Sequence, residues 1–252
     1  MVNSGRYQGD NPENVTISIV FDNNRISDLF ESAWGFSCFI EGAAKNILFD
    51  TGGDGELLLR NLKKLDKSPS DIGLIVLSHK HSDHVGGLGK ILEENGYLDV
   101  CMLPSFPDSI KEVVRSLGGR LIETGDSGEI IEGVYTTGKM GSYIEEQSLI
   151  IDTDKGLILI TGCAHPGIEK IAERAKQILP KEILLIAGGF HLRDKSENEI
   201  RAVSESLKNT GVMYAAPSHC SGAKAFEIFR EAYGDHYINS GAGKVIPCAG
   251  LK

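Results

Sequence analysis

The sequence predicts an α/β fold in which helices cover the outer faces of β-sheets packed on one another. Three observations carry that expectation. Short β-branched runs form a meander early in the chain and alternate with amphipathic helical stretches later. The length, 252 residues and 27.2 kDa, suits one large domain spanning 1–252. Polar segments bearing histidine recur directly after apolar strands, at the strand ends where loops carry chemistry.

Taken in order, Val15–Phe21, Phe36–Glu41 and Asn46–Asp50 read as strands, the last two joined by a turn containing Gly42. Gly55–Leu65 places Leu57, Leu58, Leu62 and Leu65 at helical spacing, and Ser68-Pro69 breaks the pattern before the apolar strand Leu74–Leu77. Leu98–Leu103, Arg120–Glu123, Gly133–Thr137, Ser148–Asp152 and Leu157–Ile160 continue the strands. Beyond them, helices over Ile168–Leu179, Ser196–Asn209 and Gly222–Tyr233 alternate with strands Ile183–Ala187 and Val212–Ala216. Ser196, with Glu199 three residues on, forms a capping box and marks the sharpest boundary in the chain. No low-complexity tract, long linker or internal repeat interrupts this pattern.

Apolar residues at 41% and charged residues at 24% are the proportions of a chain that folds around a core. Lys and Arg number 26 against 35 Asp and Glu, and the net charge of −9 repels phosphate backbones and anionic lipid. Neither nucleic acid nor a membrane is therefore expected as a partner. Met1–Asn14 is polar without an apolar core, and the longest apolar runs, such as Ile183–Ala187, are only strand length, so no export or membrane segment is expected. Five cysteines, Cys38, Cys101, Cys163, Cys220 and Cys248, include no CxxC pair, which suits a reducing compartment and a cytoplasmic protein.

The segment Ser78-His79-Lys80-His81-Ser82-Asp83-His84-Val85-Gly86-Gly87 leaves an apolar strand and sets three His and one Asp within six residues. In extended backbone His79 and His81 project to the same side and can reach one ion. A turn into a helix near Gly86 would aim Asp83 and His84 at a second position beside the first. Imidazole and carboxylate together suit one or two divalent ions, zinc foremost and iron or manganese as alternatives. Such an ion lowers the pKa of bound water toward ~7 and polarises a substrate. The bland alternative, solvated loop histidines and a helix-capping Asp, suits one His better than this whole pattern between a strand and Gly-Gly.

This pattern resembles the metallo-β-lactamase superfamily, whose HxHxDH signature stands here as His79, His81, Asp83 and His84. Upstream, Ile47-Leu48-Phe49-Asp50-Thr51-Gly52 is similar to the superfamily's strand ending in a supporting Asp, which makes Asp50 the residue that orients a ligand His. The resemblance covers nearly the whole chain. It implies a four-layer αββα sandwich with a metal cleft at one edge.

Two stretches depart from the superfamily's usual pattern. Where many of its hydrolases carry T-P-G-H-T-x-G, this chain has Thr136-Thr137-Gly138-Lys139-Met140-Gly141-Ser142, without the His. Where they carry a bridging Asp in T-G-D, this chain has Thr161-Gly162-Cys163-Ala164-His165-Pro166-Gly167. Cys163 and His165 leave their strand at a spacing of two and can point into one site, so His165 is the expected third nitrogen ligand of the first metal. Cys163 stands evenly between metal ligand and buried thiol. Pro217-Ser218-His219-Cys220-Ser221-Gly222 is similar to the element carrying the last metal His, which assigns His219 to a second ion and leaves Cys220 pointing away as a structural residue. Gly188-Gly189-Phe190-His191-Leu192-Arg193 follows another apolar strand and faces His191 to the cleft as ligand, general acid or, with Arg193, an anion binder; a substrate role is preferred. His236 has no strand-end pattern and is left out.

Together these histidine-bearing stretches resemble one branch of the superfamily, the group related to the archaeal dihydropterin ribofuranosylaminobenzene 5'-phosphate synthase, although no motif here reads a pterin. The implied function is that of a metal-dependent hydrolase acting with a metal-activated water on a small anionic substrate, phosphorylated or ester. Asp83 and His191 are its expected catalytic residues, and His191, Arg193 and Lys139 its expected substrate-binding residues. The alternatives are a non-catalytic metal-dependent sensor of a small ligand and a di-iron oxidoreductase. The latter is weakened because that branch typically has Glu at the position of His81 and adds a flavin domain.

Overall fold

Strands β1 (Thr16–Phe21), β2 (Ser37–Glu41), β3 (Ile47–Phe49), β4 (Leu74–Val76), β5 (Asp99–Met102) and β6 (Arg120–Glu123) lie in one sheet, as seen in a computed structural model that describes residues 15–252. Met1–Asn14, read above as lacking an export signal, lies outside the described residues. A short last strand, β13 (Val245–Pro247), pairs antiparallel with β1 and completes the sheet in the order β13-β1-β2-β3-β4-β5-β6. The second sheet runs β12 (Val212–Ser218), β11 (Ile183–Gly189), β10 (Gly156–Thr161), β9 (Leu149–Thr153), β8 (Val134–Thr136) and β7 (Gly128–Ile131).

Each sheet is antiparallel on one side and parallel on the other: β3, β4, β5 and β6 run parallel, as do β10, β11 and β12. Parallel strands need crossover helices, and those helices bury both faces of the strands between them. Every residue of β10 and β11 is accordingly buried. Helices α1 (Gly55–Lys64), α3 (Leu88–Glu94) and α4 (Asp108–Ser116) belong to the first sheet, and one-turn α2 (Ser82–Val85) lies within its β4–β5 crossover. Helices α5 (Ile168–Ile178), α6 (Glu197–Asn209) and α7 (Ala223–Tyr233) belong to the second. Asp54 caps α1 by accepting from Glu56 and Leu57 N–H, and the Ser196–Glu199 capping box is present at α6.

The alternation of side chains along each strand produces three apolar layers. Between the sheets, Ile17, Ile40, Phe49 and Val76 meet Leu149, Ile151, Ile158 and Leu185. The opposite faces turn Leu48, Ile75 and Val100 to α1 and α3, and Leu159, Ile183 and Ile186 to α5 and α7. This is the expected four-layer αββα sandwich. Phe49 is fully buried at its centre, so Phe49→Ala is expected to cost about 3–5 kcal/mol in urea unfolding. A loss below about 1 kcal/mol would mean that the two sheets do not pack there.

Strands β7 and β13 and helices α3 and α4 go beyond the sequence reading. Strand β7 has no fully buried residue, and β13 is three residues long and ends in Pro247, so neither shows the apolar run that marks a strand. Among the described residues no helix is long and apolar enough to cross a membrane. The sandwich sets the C-terminal ends of β3, β4, β10, β11 and β12 around one region, the place where open α/β sheets bind ligands.

Candidate metal centre

The residue leaving β3 is Asp50, fully buried and in left-handed backbone at φ 56°. Its Oδ1 accepts the Ser78 backbone N–H at 2.7 Å, and its Oδ2 accepts from Ser78 Oγ at 2.7 Å and from His84 Nδ1 at 2.7 Å. Ser78 Oγ has a single proton, which it gives to Asp50, so it accepts from His79 Nδ1 at 2.9 Å. One carboxylate thereby sets the tautomer of two histidines and leaves both Nε2 atoms bare. Burial holds the imidazoles of His79 and His84 down to about 3, and so neutral, the form that ligates metals. Burial also pushes the Asp50 carboxyl up to about 7 against the pull of His79 and Ser78. Gly162 makes this close packing possible, since a Cβ there would lie 2.1 Å from Ser78 Oγ.

His79 Nε2 lies 3.0 Å from His81 Nδ1, and a nitrogen of His165 lies within 4.8 Å of both. Nitrogens on one tetrahedral zinc, with bonds of about 2.0–2.1 Å, stand about 3.4 Å apart, so this triad is shaped for one ion. His165 is held by Glu146, a residue the sequence reading did not single out. Glu146 Oε1 accepts the N–H groups of Cys163 and Ala164 at 2.9 and 2.8 Å, and Oε2 accepts His165 N–H at 2.9 Å and His165 Nδ1 at 2.7 Å. Three consecutive amides thus wrap one carboxylate, with Ala164 at φ 59° completing the turn. Burial alone would raise the Glu146 carboxyl, but His79 and His165 facing it hold it below the ordinary carboxylate range.

The second triad is Asp83, His84 and His219. Asp83 Oδ2 stands 3.6 Å from His84 Nε2 and 3.4 Å from His219 Nε2. His219 Nδ1 donates to Asn23 Oδ1 at 2.8 Å, and its backbone is tied to Asn23 Nδ2 and Asp22 Oδ2 at 2.9 and 3.2 Å. Its Nε2 is buried with no hydrogen-bond partner. An orphaned imidazole nitrogen aimed at a carboxylate and a second imidazole is what a divalent ion would satisfy. Asp22, Asn23 and Asn24 sit directly after β1, so the strand-end rule that marks the histidines would also have marked them.

Between the triads lies Cys163, its Sγ 3.3 Å from His84 Nε2 and grouped with His79 and His84. Cys220 corrects the sequence expectation. Rather than pointing away, its Sγ joins Cys163 and His191 and contacts Cys163 O at 3.4 Å, because His219 takes left-handed backbone at φ 46° and reverses the alternation. His191, exposed and at φ 53°, sets its ring 4.6 Å from that of His165 in a tilted contact. Four of the five described non-glycine residues with positive φ therefore lie at this one site, a backbone strain of order 1–3 kcal/mol each that clusters where function needs it.

His191, Arg193, Trp34 and Cys220 line an adjoining cavity of ≈ 490 Å³. Lys139, expected there, is not among its lining residues: Lys139 Nζ pairs with Glu145 at 3.0 Å. The absent His in that stretch removed the only feature tying it to the centre. His236 lies elsewhere, stacked on Tyr214 at 4.4 Å.

Residues 35–167 match the profile of the Metallo-beta-lactamase superfamily. The chain is 31% identical to 7,8-dihydropterin-6-methyl-4-(beta-D-ribofuranosyl)-aminobenzene-5'-phosphate synthase of Methanocaldococcus jannaschii, over 86% of this chain and 90% of that one. A solved metal-dependent hydrolase of the beta-lactamase superfamily superposes with a TM-score of 0.76 and 25% identity, covering 92% of this chain and 98% of its own. Human tRNase Z, short form, shares the fold alone, with a TM-score of 0.63, 12% identity and coverage of 92% and 98%.

Proposed function

This chain belongs to the metallo-beta-lactamase superfamily, and from that premise we propose that it hydrolyses a small anionic substrate, phosphorylated or ester, at a two-centre metal site. It is an enzyme of the metallo-hydrolase type. The observation that carries the reading is the convergence of two triads with bare nitrogens, one of them the orphaned Nε2 of His219. His79, His81 and His165 would hold one divalent ion, and Asp83, His84 and His219 a second, with Cys163 between them. Imidazole with a sulfur ligand favours zinc over manganese and leaves iron as the alternative. When bound, the ions supply acidified water and Lewis-acid polarisation of the scissile group.

The chain's own residues do the rest. Asp50, Ser78, Glu146 and Asn23 orient the imidazoles, so no reorganisation is needed when the substrate arrives. Burial alone would raise the Asp83 carboxyl, but the imidazoles of His219 and His84 beside it hold it below the ordinary range. Its side chain is 18% exposed, and it is poised to accept a proton from the attacking water. His191 stands on the open side of His165, where its hydrogen bond to Cys220 raises its imidazole, and it donates a proton to the leaving group. A small-molecule substrate fits the cavity; assays that include RNA test whether nucleic acid also enters.

Treatment with a chelator is expected to abolish turnover of p-nitrophenyl phosphodiesters or esters and to lower the melting temperature, and two equivalents of zinc to restore both. A metal-replete protein that turns over no phosphodiester, ester or lactone, yet is stabilised by small anions, would instead be a sensor.

A further inference from the structure

Arg60, Arg120 and Arg201 pair with Glu31, Asp99 and Glu231, whereas Arg193, like Arg174 and Arg230, forms no ion pair among the described residues; of these three only Arg193 lines the cavity beside the metal centre. Its guanidinium is held instead over the indole of Trp34, 5.1 Å from the ring centroid, and the indole in turn contacts the His219 ring at 4.9 Å. The guanidinium thus stands one indole ring away from the metal centre, and Arg193 lines the cavity together with His191. Its backbone is fixed as well: Arg193 N–H donates to Cys220 O at 3.3 Å, and Gly222, at φ 83°, lets the two segments touch, since a Cβ there would lie 2.8 Å from Arg193 Cα. The nearby Glu199 does not neutralise it, because that carboxylate already serves Lys195 and the Ser196 cap.

We propose that Arg193, presented by Trp34, forms a second anion subsite beside the metal centre, and that the substrate is a small ester carrying a further phosphate monoester group. This inference rests on the hydrolase reading and narrows its substrate class. Asp194 also lines the cavity, but neither it nor Glu199 is within ion-pair distance of Arg193. An exposed arginine whose fork is not engaged by a carboxylate recognises a phosphate through two parallel N–H donors, and stacking on an aromatic face removes much of the side chain's freedom before the ligand arrives. Trp34 is a positioning residue in this arrangement, acting through Arg193.

Calorimetry on the metal-replete protein with propane-1,3-diyl bisphosphate and propyl phosphate tests it. The bisphosphate is expected to bind at least about tenfold more tightly than the monophosphate, one phosphate at the metal centre and one on Arg193. Arg193→Ala should erase that ratio and Arg193→Lys should keep only part of it. Trp34→Ala should shrink the ratio and Trp34→Phe should restore it, which a merely structural role would not do. Trp34 is the sole tryptophan of the chain, so its fluorescence should change with the bisphosphate and not do so in Arg193→Ala. A ratio below about twofold, a ratio kept in Arg193→Ala, or no binding of either compound overturns the proposal. Turnover of simple esters with no bisphosphate preference would sink this inference alone; the preference without turnover of any ester would sink the hydrolase reading alone.

Discussion

Asp83→Ala is expected to lower kcat by at least about a thousandfold while leaving the protein folded, because in the proposed mechanism it is a group that acts at the reacting atoms. Asp83 is the member of the second triad that carries charge, and its Oδ2 faces both His84 and His219. Without it, two imidazoles and a nearby thiol are left to hold a divalent ion. Elemental analysis should show about one metal equivalent lost while the His79, His81 and His165 position stays filled. Asp83 lies in the first turn of the one-turn helix α2 rather than in a core element, so the melting curve should keep its cooperativity. Activity within about tenfold of the parent protein would remove Asp83 from the mechanism.

Glu146→Ala should have the largest effect on stability, about 4 kcal/mol or more, because it strands three backbone N–H groups and an imidazole N–H in a fully buried place. The turn from Gly162 to Gly167 would lose its organising anion, and with it the orientation of His165. Glu146→Gln keeps the size but turns an NH₂ group toward one set of donors, so it should lie between the two. Urea unfolding reads the stability, and zinc titration should show the first site weakened by at least about tenfold. If Glu146→Ala unfolds like the parent protein, the carboxylate is not the keystone of the turn.

Much of this site was legible because its ligands are coded locally. The HxHxDH run, Cys163 with His165, and His191 each follow an apolar strand, and a strand end in an α/β sheet is a place the sequence announces. The supporting groups follow no such rule. Glu146 reaches His165 from a loop nineteen positions earlier in the chain, and Asn23 reaches His219 across 196 positions. Acids and amides of this kind are common in loops, and only packing tells which one is buried against an imidazole. Cys220 shows a second limit, since alternation along a strand fails at the residue where left-handed backbone begins.

The amino-acid order by itself determined the layer pattern, the strand ends that carry histidine and which of those side chains have metal-ligand chemistry, because periodicity and side-chain chemistry are properties of short segments. Which nitrogen of each imidazole is bare, which carboxylates hold them, and that Arg193 rests on Trp34 rather than on an acid were decided only when the two sheets closed. Hydrogen-bond partners and desolvation arise from contacts between segments far apart in the chain, and these exist only in the folded protein.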